Sequence, residues 1–239
     1  RDDNSQFAGH NTGAVAWGYH FDHDLRLSAS YGSAFHAPTF NDLYYPYGSG
    51  NPDLKPEKSR SAELGLSQQL DMWNWAVNAY QTRIDQLIAL DSNYFPSNLS
   101  KARIRGVEGQ LGVNLDGWQL QGYLTWLQPQ NRDGGPNNGN VLPRRPEHTA
   151  RVDLDRRFGA IGIGATVYAA GRSYDDVANR HPLAGYSTTD LRASYHFAPD
   201  WQVEARLANA FGRHYETVYY FNQPGRSVFL TLRYSPAMR

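Results

Sequence analysis

The sequence predicts an all-β protein: an antiparallel up-and-down transmembrane β-barrel, with about eleven strands on a count of alternating segments. Three observations carry that prediction. Large apolar residues alternate with small or polar ones along most of the chain, the period of two that puts successive side chains on opposite faces of a sheet. Short turns alternate with long loops, as in outer-membrane barrels. Aromatic residues collect beside the short turns, where an interfacial girdle would lie.

From Gly13 to Phe21 the positions Val15, Trp17, Tyr19 and Phe21 are large, while Ala14, Ala16, Gly18 and His20 are small or polar. After Asp22-His23-Asp24 the alternation resumes with Leu25, Leu27, Ala29, Tyr31 and Phe35, which reads as a hairpin. Residues 35–59 interrupt it. Pro38, Pro46 and Pro52, with Gly48 and Gly50, oppose any continuous helix or ladder, since proline lacks an N–H and fixes φ. A long ordered loop is expected there. Alternation returns with Ala62, Leu64, Leu66 and Leu70 and then, past Asp71, with Trp73, Trp75, Val77 and Ala79.

Val107, Leu111, Val113 and Leu115 lead into Asp116-Gly117, a favoured hairpin pair, and Trp118, Leu120, Leu124 and Trp126 follow. The same pattern continues through Val152, Leu154 and Phe158, through Ile161, Ile163 and Val167, and through Leu191, Tyr195 and Phe197. Trp201, Val203 and Leu207 come next, and the last strand is roughly Ser227 to Tyr234. No helix is expected. Short turns fall near residues 22, 71, 116, 159 and 199, and long loops over 36–58, 86–101, 129–147, 175–185 and 212–225. The face opposite the apolar one carries Arg151, Asp153, Arg192, Glu204 and Arg206, which the core of a soluble sandwich would not hold.

Composition narrows the function. Only 40% of the residues are hydrophobic and the mean hydropathy is −0.64, so no transmembrane helix is expected, whereas barrel strands average out as hydrophilic. The formal net charge is +0, which gives no electrostatic footprint for nucleic acid. Cysteine is absent, removing disulfides and thiolate metal sites and fitting an oxidising compartment. The chain starts at Arg1 without methionine or signal peptide, so processing or truncation is expected to have removed its beginning.

The proline-framed pair Phe35-His36-Ala37-Pro38 and Asn51-Pro52-Asp53-Leu54-Lys55-Pro56-Glu57 resembles the F-x-A-P and N-P-x-L-x-P-E motifs of TonB-dependent outer-membrane receptors. More narrowly, Lys101-Ala102-Arg103-Ile104-Arg105-Gly106-Val107-Glu108 and the segment from Ala208 to Tyr219, followed by Pro224-Gly225-Arg226, resemble the carboxyl-terminal half of the cobalamin receptors of that family. The resemblance implies half of a 22-stranded barrel in the bacterial outer membrane, with residues 1–239 forming the carboxyl-terminal part of the barrel domain and the plug domain absent. It implies cobalamin as ligand, captured at extracellular loops with no chemical step, and TonB as partner through the absent plug. The plug, the remaining barrel strands and outer-membrane lipid are the other implied partners. No cofactor is implied in this half, the family's calcium sites lying in the missing one. Siderophore and haem receptors share most of these motifs. The inward Arg and Asp residues would face the plug.

Substrate contact is expected at Tyr44, Tyr45 and Tyr47 in the first long loop and at Tyr219, Tyr220, Phe221 and Asn222 in the last, since apolar rings with polar tips suit a large corrin bearing amides. Asp175 and Arg180 are candidates too, against the blander reading that Asp175, Asp176, Arg180 and His181 are a solvated loop. Asn51, Pro52 and Leu54 are expected to shape the loop rather than bind. No histidine lies between Pro38 and Asn51, which disfavours haem, and no His and carboxylate spacing marks a metal site. The enzymatic rival is a barrel hydrolase pairing Asp175 or Asp176 with His181. Receptors of this type end on an aromatic, whereas Tyr234 here precedes Ser235-Pro236-Ala237-Met238-Arg239. The first and last strands would each leave an edge unpaired, so the piece is expected to close on itself, pair with another copy, or add strands to a neighbour.

Overall fold

The computed structural model describes residues 2–4, 6–91 and 93–236. Ala237, Met238 and Arg239, on which the expectation about the tail partly falls, lie outside the described residues. The chain runs through β1 (Asp2–Asn4), β2 (Ala8–His10), β3 (Gly13–His20), β4 (Leu25–His36), α1 (Phe40–Tyr44), β5 (Glu57–Gln69) and β6 (Trp73–Leu90). It continues through β7 (Pro96–Leu115), β8 (Trp118–Asn131), β9 (His148–Phe158), β10 (Ile161–Ala170), β11 (Ser173–Tyr174) and β12 (Pro182–Leu183). β13 (Tyr186–Ala198), β14 (Trp201–Ala208), β15 (Glu216–Val218), β16 (Phe221–Asn222) and β17 (Ser227–Tyr234) complete it.

One antiparallel sheet of 11 strands, from β3 through β10, then β13, β14 and β17, forms the body, with each strand beside its sequence neighbours in the sheet. β11–β12 and β15–β16 are small hairpins within connections, and β1–β2 is another that precedes the sheet. The sheet is open, with β3 and β17 at its edges. Self-closure, one of the outcomes expected from the sequence, is not what the chain adopts. Antiparallel order also bears on pairing with a second copy. As first and last of an odd number of strands, β3 and β17 run in the same direction. A copy inserted with the same membrane orientation would set its β3 parallel to this β17. Bacterial barrels have an even number of antiparallel strands, so an odd number of further strands is what closes this sheet.

The outward face is the apolar one. Leu124, Trp126 and Leu230 are 65%, 66% and 75% exposed, and they sit among Trp17, Leu64, Val77, Val107, Val152, Ile163 and Val203. One register row runs Trp17, Ala29, Leu64, Ala79, Val107 and Trp126 across six strands. Such a surface far exceeds the apolar patch of roughly 300–600 Å² found on soluble monomers, and lipid is what covers it. Phe21, Trp73, Phe158, Phe197 and Trp201 ring its lower end, and the Arg156 guanidinium lies 5.1 Å over Trp118 and 4.7 Å over Phe158. The inward face carries ion pairs both along and across strands. Arg151 binds Asp153 through Nε and Nη2 at 2.7 and 2.9 Å, Arg192 Nη2 reaches both Asp155 oxygens at 2.8 and 2.9 Å, and Arg206 Nε donates to Asp190 at 3.1 Å. Exposed pairs of this kind each contribute about 0–1 kcal/mol, so the wall's significance is its pattern of charge rather than its stability.

The lower turns are tight, as expected. Asp116 and Gly117 take φ of 49° and 80°, the left-handed pair of a two-residue hairpin. Two expectations are corrected at the upper end. The stretch 86–101 is not a long loop, because β6 and β7 pair as far as Leu90 opposite Pro96 and leave only residues 91–95 as a tip. The first long loop contains α1, a single helical turn. Its proline restrictions fall on either side of it, and Thr39 caps it, its Oγ1 accepting from the Asp42 N–H at 3.2 Å while Asp42 accepts the Thr39 N–H at 2.8 Å.

Candidate functional site at the upper rim

The projecting β6–β7 hairpin is the pillar against which the upper loops pack. On one side the first long loop leans on it. Asn51 Nδ2 donates to the Pro96 carbonyl at 3.0 Å, and Asn98 exchanges bonds with the Lys55 backbone at 2.8 and 2.9 Å. Leu54 is buried, and Gly50 passes so close to Leu43 and Tyr45 that a Cβ would come within 2.6 Å of their backbones. Asn51 and Leu54 therefore hold the loop's shape, as expected. Tyr44 and Tyr45 are about half exposed, the Tyr44 ring lying tilted against Phe40 at 5.3 Å and its hydroxyl accepting from Gln6 Nε2 at 3.1 Å. The Tyr47 side chain lies outside what the structure describes.

On the other side the loops after β8 and β10 fold over the hairpin's inner surface. Leu87, Leu99, Ala102, Leu142 and Val177 make a small apolar core with Ile84, Ala89 and Ile104 around it, and Leu142 is fully enclosed. Asparagines stitch the two loops together: Asn140 Nδ2 donates to Val177 O at 3.1 Å, and Asn179 bridges the Val141 N–H and carbonyl at 3.0 and 2.8 Å.

The reading of Asp175 and Asp176 as a solvated loop is overturned, since each is only 1% exposed. Asp175 receives Arg144 Nε at 2.6 Å, and its backbone N–H donates to the His181 carbonyl. It thus braces the loop and does not face the mouth. Asp176 accepts the N–H groups of Ala178 and His181, each at 2.8 Å, and of Arg180 at 3.0 Å, with His181 Nδ1 at 2.9 Å. Burial by itself would raise this carboxyl, but those backbone donors and the imidazole together hold it below the usual carboxylate range. Arg180 is exposed beside it.

An aromatic cluster lies over these carboxylates. The His181 ring is 6.3 Å from Tyr94 and 4.6 Å from Tyr219, and Tyr219 is 4.1 Å from Tyr220. Burial, with Asp175 nearby, pushes the Tyr94 phenol up, and the hydrogen bond and charge of Tyr220 do the same to Tyr219, so both stay neutral donors near neutral pH. The β15–β16 hairpin presents Tyr220 and Phe221 at 79% and 66% exposure, with Asn222 exposed beside them. Tyr220 sits at φ 67°, a turn position that a bulky residue rarely takes, and its N–H is held by Glu216 at 3.2 Å.

The structure thus brings together Arg180, Tyr219, Tyr220, Phe221 and Asn222, keeps Tyr44 and Tyr45 on the far side of the pillar, and removes Asp175 from the accessible surface. Sequence reading missed Tyr94, which alternation alone could not place at a hairpin tip. The hydrolase geometry is present as the Asp176–His181 contact, yet three backbone donors already occupy that carboxylate. Among the described residues no group of three or more His, Asp or Glu stands where it could hold a metal ion.

An open antiparallel sheet, apolar outside and charged inside, with aromatic-rich loops at one end, is a section of a transmembrane barrel wall. The TonB-dependent receptor-like β-barrel family matches residues 1–210, and the chain belongs to it. It is therefore a protein of the bacterial outer membrane. It is 33% identical, over 98% of its length, to the vitamin B12 transporter BtuB of Photobacterium profundum, of which it covers 39%. Among solved structures it resembles the copper transporter OprC, with a TM-score of 0.78 and 21% identity over 94% of this chain and 39% of that one. It also resembles the ferric enterobactin receptor PfeA of Pseudomonas aeruginosa, with a TM-score of 0.77 and 20% identity over 96% and 41%. The chain thus spans about two fifths of the length of these relatives.

Proposed function

We propose that the chain is part of an outer-membrane receptor for TonB-dependent uptake of cobalamin. The ligand is captured at the extracellular loops and passes without a chemical step. The observation that carries this reading is the 33% identity to a vitamin B12 transporter across nearly the whole chain, since the siderophore and copper transporters share only the fold at their lower identities. The rim chemistry agrees with it. Tyr44, Tyr45, Tyr219 and Tyr220 offer flat apolar surface with hydroxyl tips, Phe221 adds a bare ring, and Arg180 and Asn222 offer donors to amide and phosphodiester oxygens of the ligand.

In this reading residues 1–239 are the carboxyl-terminal part of the barrel domain. The remaining strands pair with β3 and β17, a plug domain meets the charged inner wall, and TonB acts through that plug. Asp175 serves as a brace for the binding loops and not as a ligand contact. No resident cofactor is needed within these residues. Equilibrium titration of the complete receptor with cyanocobalamin, against haem and ferric siderophores as competitors, tests the reading. Saturable cyanocobalamin binding that neither competitor displaces is expected, and direct saturable binding of a ferric siderophore with no cyanocobalamin binding would replace cobalamin by that class.

A further inference from the structure

The outer face of the sheet carries a patch of positive charge that neither the rim nor the inner wall uses. On β7 the lipid-facing residues climb from Leu115 through Leu111 to Val107, and the next positions on the same face are Arg105, Arg103 and Lys101. Pairing between β6 and β7 is unbroken from Trp73 opposite Val113 to Asp85 opposite Lys101, so no bulge turns these cations toward the lumen. Register sets Arg83 beside Arg103, Arg60 beside Arg83, and Lys58 beside Asp85. Across β9, β10 and β13 the outward row Ala150, Ala169 and Ser187, which register joins to Leu124 and Gly109 within the apolar band, carries no charge.

Its height is set by the strands. Leu115 to Val107 spans roughly 26 Å along the strand, or about 20 Å along the membrane normal at a tilt near 40°, which matches most of an apolar band about 25 Å tall. Arg105 and Arg103 then stand roughly 5–10 Å above Val107, in the headgroup layer of the outer leaflet.

The patch is rich in donors and poor in acceptors. Among the described residues none of Lys58, Arg60, Arg83, Lys101, Arg103 and Arg105 is within ion-pair distance of a carboxylate. Its acceptors are amides: Arg105 Nε donates to Gln81 at 2.8 Å and Arg103 Nη2 to Gln130 at 3.0 Å, while neighbouring Arg132 shares that same Gln130 oxygen. Among the described residues Arg103 Nε and Arg132 Nε find no acceptor.

We propose that this patch binds the phosphorylated headgroups of lipids in the outer leaflet. Guanidinium forks match phosphate oxygens in pairs, and basic clusters just above an apolar belt are drawn to anionic lipid. A ligand travelling through the lumen does not reach this face. The inference rests on the orientation of the wall in the membrane and is independent of the identity of the transported ligand.

The test uses the complete receptor in neutral detergent, with native mass spectrometry reading the retention of phosphatidic acid against a diacylglycerol of the same chains. Wild-type protein should retain the phosphorylated lipid at least about tenfold better, and the combined variant Arg83→Gln, Arg103→Gln, Arg105→Gln should lose at least about tenfold of that retention. Arg156→Gln, at the opposite rim of the same outer face, should retain it like wild type. Should the glutamine variant fail to show wild-type strand content by circular dichroism, the corresponding lysine variant decides, and must stay within about threefold of wild type while losing retention as salt is raised. Equal retention of both lipids, undiminished retention in the glutamine variant, an equal loss in Arg156→Gln, or displacement by millimolar inorganic phosphate would each overturn the proposal.

Discussion

The two sides of the β6–β7 pillar hold their loops by different means. On one side the first long loop is shaped by its own backbone: prolines, a capped helical turn, a glycine crossing and a few hydrogen bonds to the pillar. On the other, loops distant in sequence share an apolar core, two buried carboxylates and a ring cluster. The first arrangement is local and its failure should stay local. The second is shared, so removing one member should release several segments together.

The largest expected effect follows from that sharing. Leu142→Ala removes a fully buried side chain and should cost about 2–5 kcal/mol of local stability, with amide exchange rising together over residues 132–147 and 171–185. The first long loop should keep its protection; if it opens too, the two sides are one unit and the comparison fails. Next comes Asp176→Asn, which keeps the shape but weakens charge-assisted bonds worth roughly 1–3 kcal/mol. The same bonds give a pH dependence. Because the folded carboxyl is held below its unfolded value, its stabilisation is present above about pH 4 and is lost as pH falls through the lowered pKa. Exchange over 171–185 should therefore accelerate in acid in the wild type and much less in the variant.

Ligand binding should separate the two sides as well. Replacing Tyr219 and Tyr220 by alanine is expected to weaken cyanocobalamin binding to the complete receptor by about 10–100-fold, as for loss of aromatic hot spots, and Tyr44 with Tyr45 by less. The reverse order would move the main contact to the first loop. The smallest effect is Thr39→Ala, which removes a cap worth about 1 kcal/mol and should increase exchange only around residues 40–45.

This contrast also explains what the sequence made legible. The eleven strands, the tight lower turns and the identity of the two faces follow from local alternation, and Val107 or Asp116-Gly117 announce their places without help. The architectural role of Asn51 and Leu54 was likewise readable, because proline and glycine act where they stand. The turn at α1 was hidden by those same prolines, although Thr39 with Asp42 spells a short capping signal. The extension of β6 and β7 was hidden because alternation weakens beyond Asp85, where Gln86 takes φ 61°. The burial of Asp175 and Asp176 was unreadable for a different reason. Their partners are Arg144, 31 residues away, and the backbone of a turn whose shape alternation does not encode.

The central claim is that the upper loops on this wall capture cobalamin. Its most direct test is amide exchange of the complete receptor with and without saturating cyanocobalamin. Slowed exchange at residues 219–222 and at 44–47, with none at the lower turns near 116 and 199, is the predicted result. Saturable binding that leaves both upper segments unchanged would contradict it.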